Sequence, residues 1–218
     1  ILENKKPKEK PFVPKPHQKK AIRLAHKHFI NDNNSRGKLI FPCGSGKSLT
    51  GFWMMEKLKA NSTVVAVPSL SLVKQTLEVY LKQVVAKKME VKWLCICSDE
   101  GIGKGDDVVT YTRDLPIPCT TDPDYIKNWL KENKKENIII FTTYQSGRLI
   151  AEASKSLKFT FDLGIYDEAH KTVGKNENLF SYLLFEENIS VKHRIFMTAT
   201  ERFYRGVRDD VLTMDDPD

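Results

Sequence analysis

The sequence predicts an α/β domain: a mostly parallel sheet with helices on both faces. Three observations carry this. Short apolar runs recur along the chain, several of them nearly continuous in Val, Ile and Phe, as strands buried on both faces are. Between most of them lie stretches long enough for crossover helices. One run leads directly into a glycine-rich turn with a helical pattern behind it.

Taken in order, residues 1–14 are rich in Lys and Pro and read as a solvated linker. "HQKKAIRLAHKHFI" then places Ala21, Ile22, Leu24, Ala25 and Phe29 at helical spacing. The strands expected are 38–41, 63–67, 91–97, 137–141, 161–166 and 194–198, with helices over 48–59, 71–87 and 146–156. "TTDPDYIKNWLKEN" signals one more helix, with Thr121 or Asp122 as cap and Pro123 at its first position. Residues 99–120, with clustered glycines, scattered charge and prolines, read as a surface insertion. Trp53, Trp93 and Trp129 are expected in the core or on helix faces rather than as base-stacking platforms.

The chain has 218 residues, 40% hydrophobic and 29% charged, which suits a globular domain. Its formal charge is +7, but residues 1–27 alone hold nine Lys or Arg against two Glu. The remainder carries 26 of each sign, so net charge says little about a nucleic-acid partner. No apolar run reaches the roughly 18 residues a membrane span needs, and the first residues lack the apolar segment of a secretion signal. Residue 1 is not Met, so the sequence is expected to be part of a longer chain. The four cysteines, Cys43, Cys95, Cys97 and Cys119, fit no secreted disulfide framework, which points to a reduced, cytoplasmic protein. Cys95 and Cys97 lie on one apparent strand and are expected to face opposite ways, as a poor metal pair.

The chemistry concentrates at two places. "FPCGSGKSLT" (41–50) has the pattern of a phosphate loop with Phe41 where the first glycine usually stands. In such a loop the backbone N–H groups of Pro42–Ser48 and a helix N-terminus converge on phosphates, although Pro42 itself has no N–H to give. Cys43, Gly44, Ser45 and Gly46 form the turn. Lys47 reaches the β- and γ-phosphates, and Ser48 takes a Mg²⁺ position. "DLGIYDEAH" is a buried strand ending in two acids, Asp167 and Glu168. At the carboxyl end of a parallel strand they lie where ligands bind. Asp167 is suited to hold Mg²⁺ and Glu168 to activate water.

"PCGSGKS", "DEAH" and "TAT" (198–200) together resemble motifs I, II and III of superfamily 2 helicases and translocases, in which the first glycine of the loop is often absent. "KPHQ" (15–18) resembles the upstream glutamine motif, "VPSLSLVKQ" (67–75) motif Ia and "TTYQS" (142–146) motif Ib. The resemblance covers about residues 14–205 and is nearest to predicted helicases associated with restriction–modification systems, with Glu201 in place of an expected proline after "TAT". It implies a RecA-like P-loop NTPase domain over 15–205, with ATP and Mg²⁺ as cofactors. Gln18 would then read the adenine edge. His170, Thr198 and Thr200 would link the nucleotide site to motif III, and Ser69, Gln75, Thr143 and Gln145 would lie along nucleic acid, with double-stranded DNA expected. The family uses a second RecA-like domain to supply arginine fingers; no motifs of it occur here, and 206–218 would begin the linker toward it. These motifs do not separate a DNA translocase from an RNA helicase. A regulatory module that binds nucleotide without turnover is the rival from another class, and Glu168 argues against it.

Overall fold

The computed structural model describes residues 10–98, 111–171, 174–175, 181–199 and 211–212. Thr200 and Glu201 therefore lie outside the described residues, as do 99–110 of the expected insertion. Six strands form one sheet: β1 (Arg36–Ile40), β2 (Ser62–Val67), β3 (Lys92–Ile96), β4 (Ile138–Thr143), β5 (Phe161–Asp167) and β7 (Val191–Thr198). Their spatial order is β1-β7-β5-β2-β4-β3, and every pairing is parallel. β6 (Gly174–Lys175) and β8 (Val211–Leu212) form a separate antiparallel pair, which puts two residues of the expected linker in a strand.

The helices are α1 (Pro16–His26), α2 (Lys47–Leu58), α3 (Leu70–Lys87), α4 (Pro123–Asn133) and α5 (Gly147–Ser156). Asp122 caps α4 as its sequence requires, accepting from the N–H groups of Asp124 and Tyr125, with Pro123 where its missing N–H costs nothing. Alternation along the strands builds two cores. Val65, Val67, Ile139 and Phe141 pack under α2 and α3, while Val64, Ala66, Ile138 and Ile140 pack under α4 and α5. β2 and β4 are buried at every position, whereas β1 and β3, at the sheet edges, are only partly covered. Trp53 is buried, Trp93 stacks on Phe141 and Trp129 packs against the second core, as expected of core aromatics. Among the described residues, no helix is long and apolar enough to cross a membrane.

Two expectations are corrected. Residues two apart on a strand share a face, so Cys95 and Cys97 both enter the α2/α3 core, and their sulfurs lie 3.4 Å apart. The end of the 99–120 segment is also not purely superficial. Leu115 is buried, and Cys119 makes a parallel bridge to Cys95, with the Thr120 N–H donating to the Cys95 carbonyl at 3.0 Å.

Candidate functional site

The loop between β1 and α2 is shaped by two glycines. Gly44 and Gly46 have φ of +74° and +83°, a left-handed backbone that glycine adopts without steric cost. Gly46 is required twice over, since a Cβ there would stand 2.5 Å from the Gln18 Nε2. Ser45 turns back on Pro42, its hydroxyl donating to the Pro42 carbonyl at 2.6 Å. No side chain caps α2 and its first turn holds no acid, so the first-turn N–H groups remain available to an anion. Cys43 is exposed, and Ser48 stands half-buried in that turn.

Gln18 is buried against this loop, with its amide donating to the carbonyls of Ser45 (3.1 Å) and Gly46 (3.3 Å) and its oxygen accepting from the Lys15 N–H. Both ends of the side chain are thus engaged with protein. His17 stands beside it, its ring 5.5 Å from that of Phe41.

A sequence of contacts runs from the loop to the acids and back. Lys47 Nζ lies 3.3 Å from Glu168 Oε1, and Glu168 Oε2 lies 3.3 Å from His170 Nδ1. His170 Nδ1 is 2.9 Å from the Thr198 hydroxyl, and the Thr198 carbonyl accepts from the Phe41 N–H at the start of the loop. Glu168 has φ of +51°, an uncommon backbone for an acid and the kind of local strain that active sites hold. Asp167 is 4% exposed. Burial pushes its carboxyl up to about 6; the Glu168 N–H, donating to it at 2.9 Å, and Lys47 pull it back, while the Glu168 charge adds to the rise. A buried carboxylate in want of positive charge at the end of β5 and a hydroxyl, Ser48, on the first turn of α2 are both hard-oxygen donors of the kind that suit Mg²⁺.

The predicted nucleic-acid residues gather on the other half of the same carboxyl edge. Ser69 precedes α3 and its hydroxyl meets that of Ser71; Gln75 is exposed on α3. Thr143 ends β4, its hydroxyl donating to Ser146, and Gln145 is exposed at the turn tip. The two loops are joined by the Tyr144 N–H donating to the Val67 carbonyl. Sequence reasoning missed Tyr144 itself. Its buried hydroxyl donates to the Asp167 carbonyl at 2.8 Å, tying the β4 turn to the acid strand.

The family model for the Type III restriction enzyme res subunit matches residues 11–203. The chain belongs to that family. It is a superfamily 2 helicase domain of RecA-like fold, related to restriction–modification enzymes. Among curated proteins it resembles the probable helicase A859L of African swine fever virus, 28% identical over 189 residues, which are 86% of this chain and 19% of that one. Among solved structures it matches a nuclease-deletion mutant of the Type ISP restriction–modification enzyme LlaGI in complex with a DNA substrate mimic, at TM-score 0.71 and 28% identity, covering 94% of this chain and 19% of that one. The Type ISP enzyme LlaBIII bound to DNA gives TM-score 0.73 and 27% identity over 94% of this chain and 14% of that one. In fold alone, the SWI2/SNF2 ATPase core of Sulfolobus solfataricus also matches, at TM-score 0.54 and 18% identity over 91% of this chain and 34% of that one. The chain thus spans about a fifth of the length of the curated relatives it matches.

Proposed function

We propose that this chain is the ATP-binding half of a DNA translocase or helicase motor working within a restriction or DNA-processing enzyme. The observation that carries the reading is the contact path Lys47–Glu168–His170–Thr198–Phe41, which joins the phosphate loop, the acid pair and the end of β7. ATP is the substrate the loop suits, its phosphates meeting the N–H groups of residues 43–48. Lys47 would leave Glu168 for the β- and γ-phosphates, freeing Glu168 to orient the attacking water and take its proton. Mg²⁺, held by Ser48 and Asp167, would offset the charge of the phosphate oxygens. His170 and Thr198 would pass the change along to Thr200 and motif III. Gln18 would read the adenine edge on releasing part of its grip on the loop.

DNA, in double-stranded form, is the partner proposed; the two Type ISP neighbours, bound to DNA or its mimic, favour DNA over RNA. Ser69, Gln75, Thr143 and Gln145 would touch its backbone without reading sequence. A second RecA-like domain of the same polypeptide would supply the arginine finger. Four cysteines outside any disulfide suit a reducing, cytoplasmic setting.

Calorimetry tests the first step: Lys47→Ala should abolish Mg·ATP binding, and equal affinity in the variant and parent would remove the loop from the mechanism. The isolated chain should hydrolyse ATP hardly at all. Adding the second domain should raise DNA-stimulated turnover by about 10³- to 10⁵-fold, the usual worth of an arginine finger. Brisk turnover by the chain alone would overturn the division of labour, and stimulation by RNA in place of DNA would reassign the substrate.

A further inference from the structure

Three of the four cysteines meet at the sheet edge farthest from the phosphate loop. Cys95 lies on β3, Cys97 just beyond its end, and Cys119 on the returning segment bridged to Cys95. The three sulfurs all lie within 4.8 Å of one another, with Cys95 to Cys97 at 3.4 Å and Cys97 to Cys119 at 3.5 Å. Sulfurs bound to one tetrahedral zinc at about 2.3 Å stand about 3.8 Å apart. The observed triangle is therefore near the size of one face of such a site, before any adjustment by the side chains.

We propose that Cys95, Cys97 and Cys119 form a binding site for a single soft, thiophilic cation of the Zn²⁺ class. Cys95 and Cys97 are buried at 0% and 2% exposure, while Cys119 is only half-buried. Two ligands are thus fixed by the core and the third is partly exposed, so water would complete the coordination from that side. Sulfur donors select Zn²⁺, Cd²⁺ or Cu⁺ and discriminate against the oxygen-preferring Mg²⁺ of the nucleotide site. The bound cation would fasten the segment carrying Cys119 to the outer edge of β3, beside the bridge already there.

The proton balance is explicit. Each thiol that becomes a ligand breaks one S–H bond, forms one metal–sulfur bond and releases one proton to solvent, up to three in all. Cation binding displaces these protons, so affinity should rise with pH.

The test is an oxygen-free titration of the fully reduced 218-residue chain with Cd²⁺, followed by competition with Zn²⁺. The expected result is one equivalent bound, with sulfur-to-cadmium charge-transfer absorption of about three thiolates and loss of three of the four thiols to a thiol reagent. Cys119→Ser, at the half-buried position, should fold and lose the one-equivalent transition. Cys43→Ser should keep it, because that thiol is in the phosphate loop. Charge transfer absent at one equivalent would overturn the proposal, as would binding undiminished in Cys119→Ser. Thiol counting that shows Cys97 and Cys119 already joined as a disulfide in protein purified without air would overturn it too.

Discussion

Placing an alanine at Gly46 tests how the phosphate loop is held. The methyl would sit 2.5 Å from Gln18 Nε2 while the backbone keeps φ of +83°. The left-handed conformation alone costs an L-residue about 1–2 kcal/mol. Displacing the buried Gln18 amide also removes its bonds to the Ser45 and Gly46 carbonyls, at about 0.5–1 kcal/mol each. Gly46→Ala should then destabilise the chain by roughly 2–4 kcal/mol. In a Gln18→Ala background there is no amide to displace, and the same change should cost only about 1–2 kcal/mol. The two substitutions should therefore couple by about 1–2 kcal/mol. Urea unfolding of the parent, both single variants and the double variant gives the coupling directly, provided the slopes with denaturant stay equal. Effects that add to within about 0.5 kcal/mol would refute the clash and with it the clamp.

In the full-length enzyme, Glu168→Gln should keep ATP binding and slow hydrolysis by about 10²- to 10⁴-fold; a loss under about tenfold places the base elsewhere. Asp167→Asn should stabilise the nucleotide-free chain. With its carboxyl held at about 6 against 3.8, the ionised acid costs the fold about 3 kcal/mol, fully felt above pH 6 and fading as pH falls toward 4. Urea unfolding at pH 8 and pH 4 checks this, and equal stability of variant and parent at pH 8 counts against it. Tyr144→Phe should cost about 1–2 kcal/mol by leaving the buried Asp167 carbonyl without its donor. It should lower DNA-stimulated kcat in the full-length enzyme more than it raises the KM for ATP; a change confined to stability makes the tyrosine structural only.

The central strands were legible because burial on both faces writes a continuous apolar run, as in "TVVAV" and "NIIIF". The helix after Asp122-Pro123 was legible because cap and first-turn chemistry is local. The order of the strands was not, since parallel partners are distant in sequence: β1 lies beside β7, more than 150 residues on. Ser69 and Thr143 stand at the carboxyl ends of β2 and β4, but their hydroxyls are spent on local partners that no motif announces. Tyr144 escaped because its partner is a backbone oxygen, which leaves no signature in side-chain identity. The shared face of Cys95 and Cys97 follows from strand periodicity alone; that reading failed on geometry rather than for want of signal.

The contacts from Lys47 through Glu168, His170 and Thr198 return to Phe41, six residues from where they began, so with the loop itself they close a circuit. A closed linkage has fewer independent motions than an open row of the same joints. If Lys47 swings toward an incoming phosphate, the slack opens at Glu168 and must be taken up by the histidine, the threonine or the loop backbone. No joint can shift alone, so removing any one of them should blunt the response of the rest, and losses at two joints should fall well short of their sum.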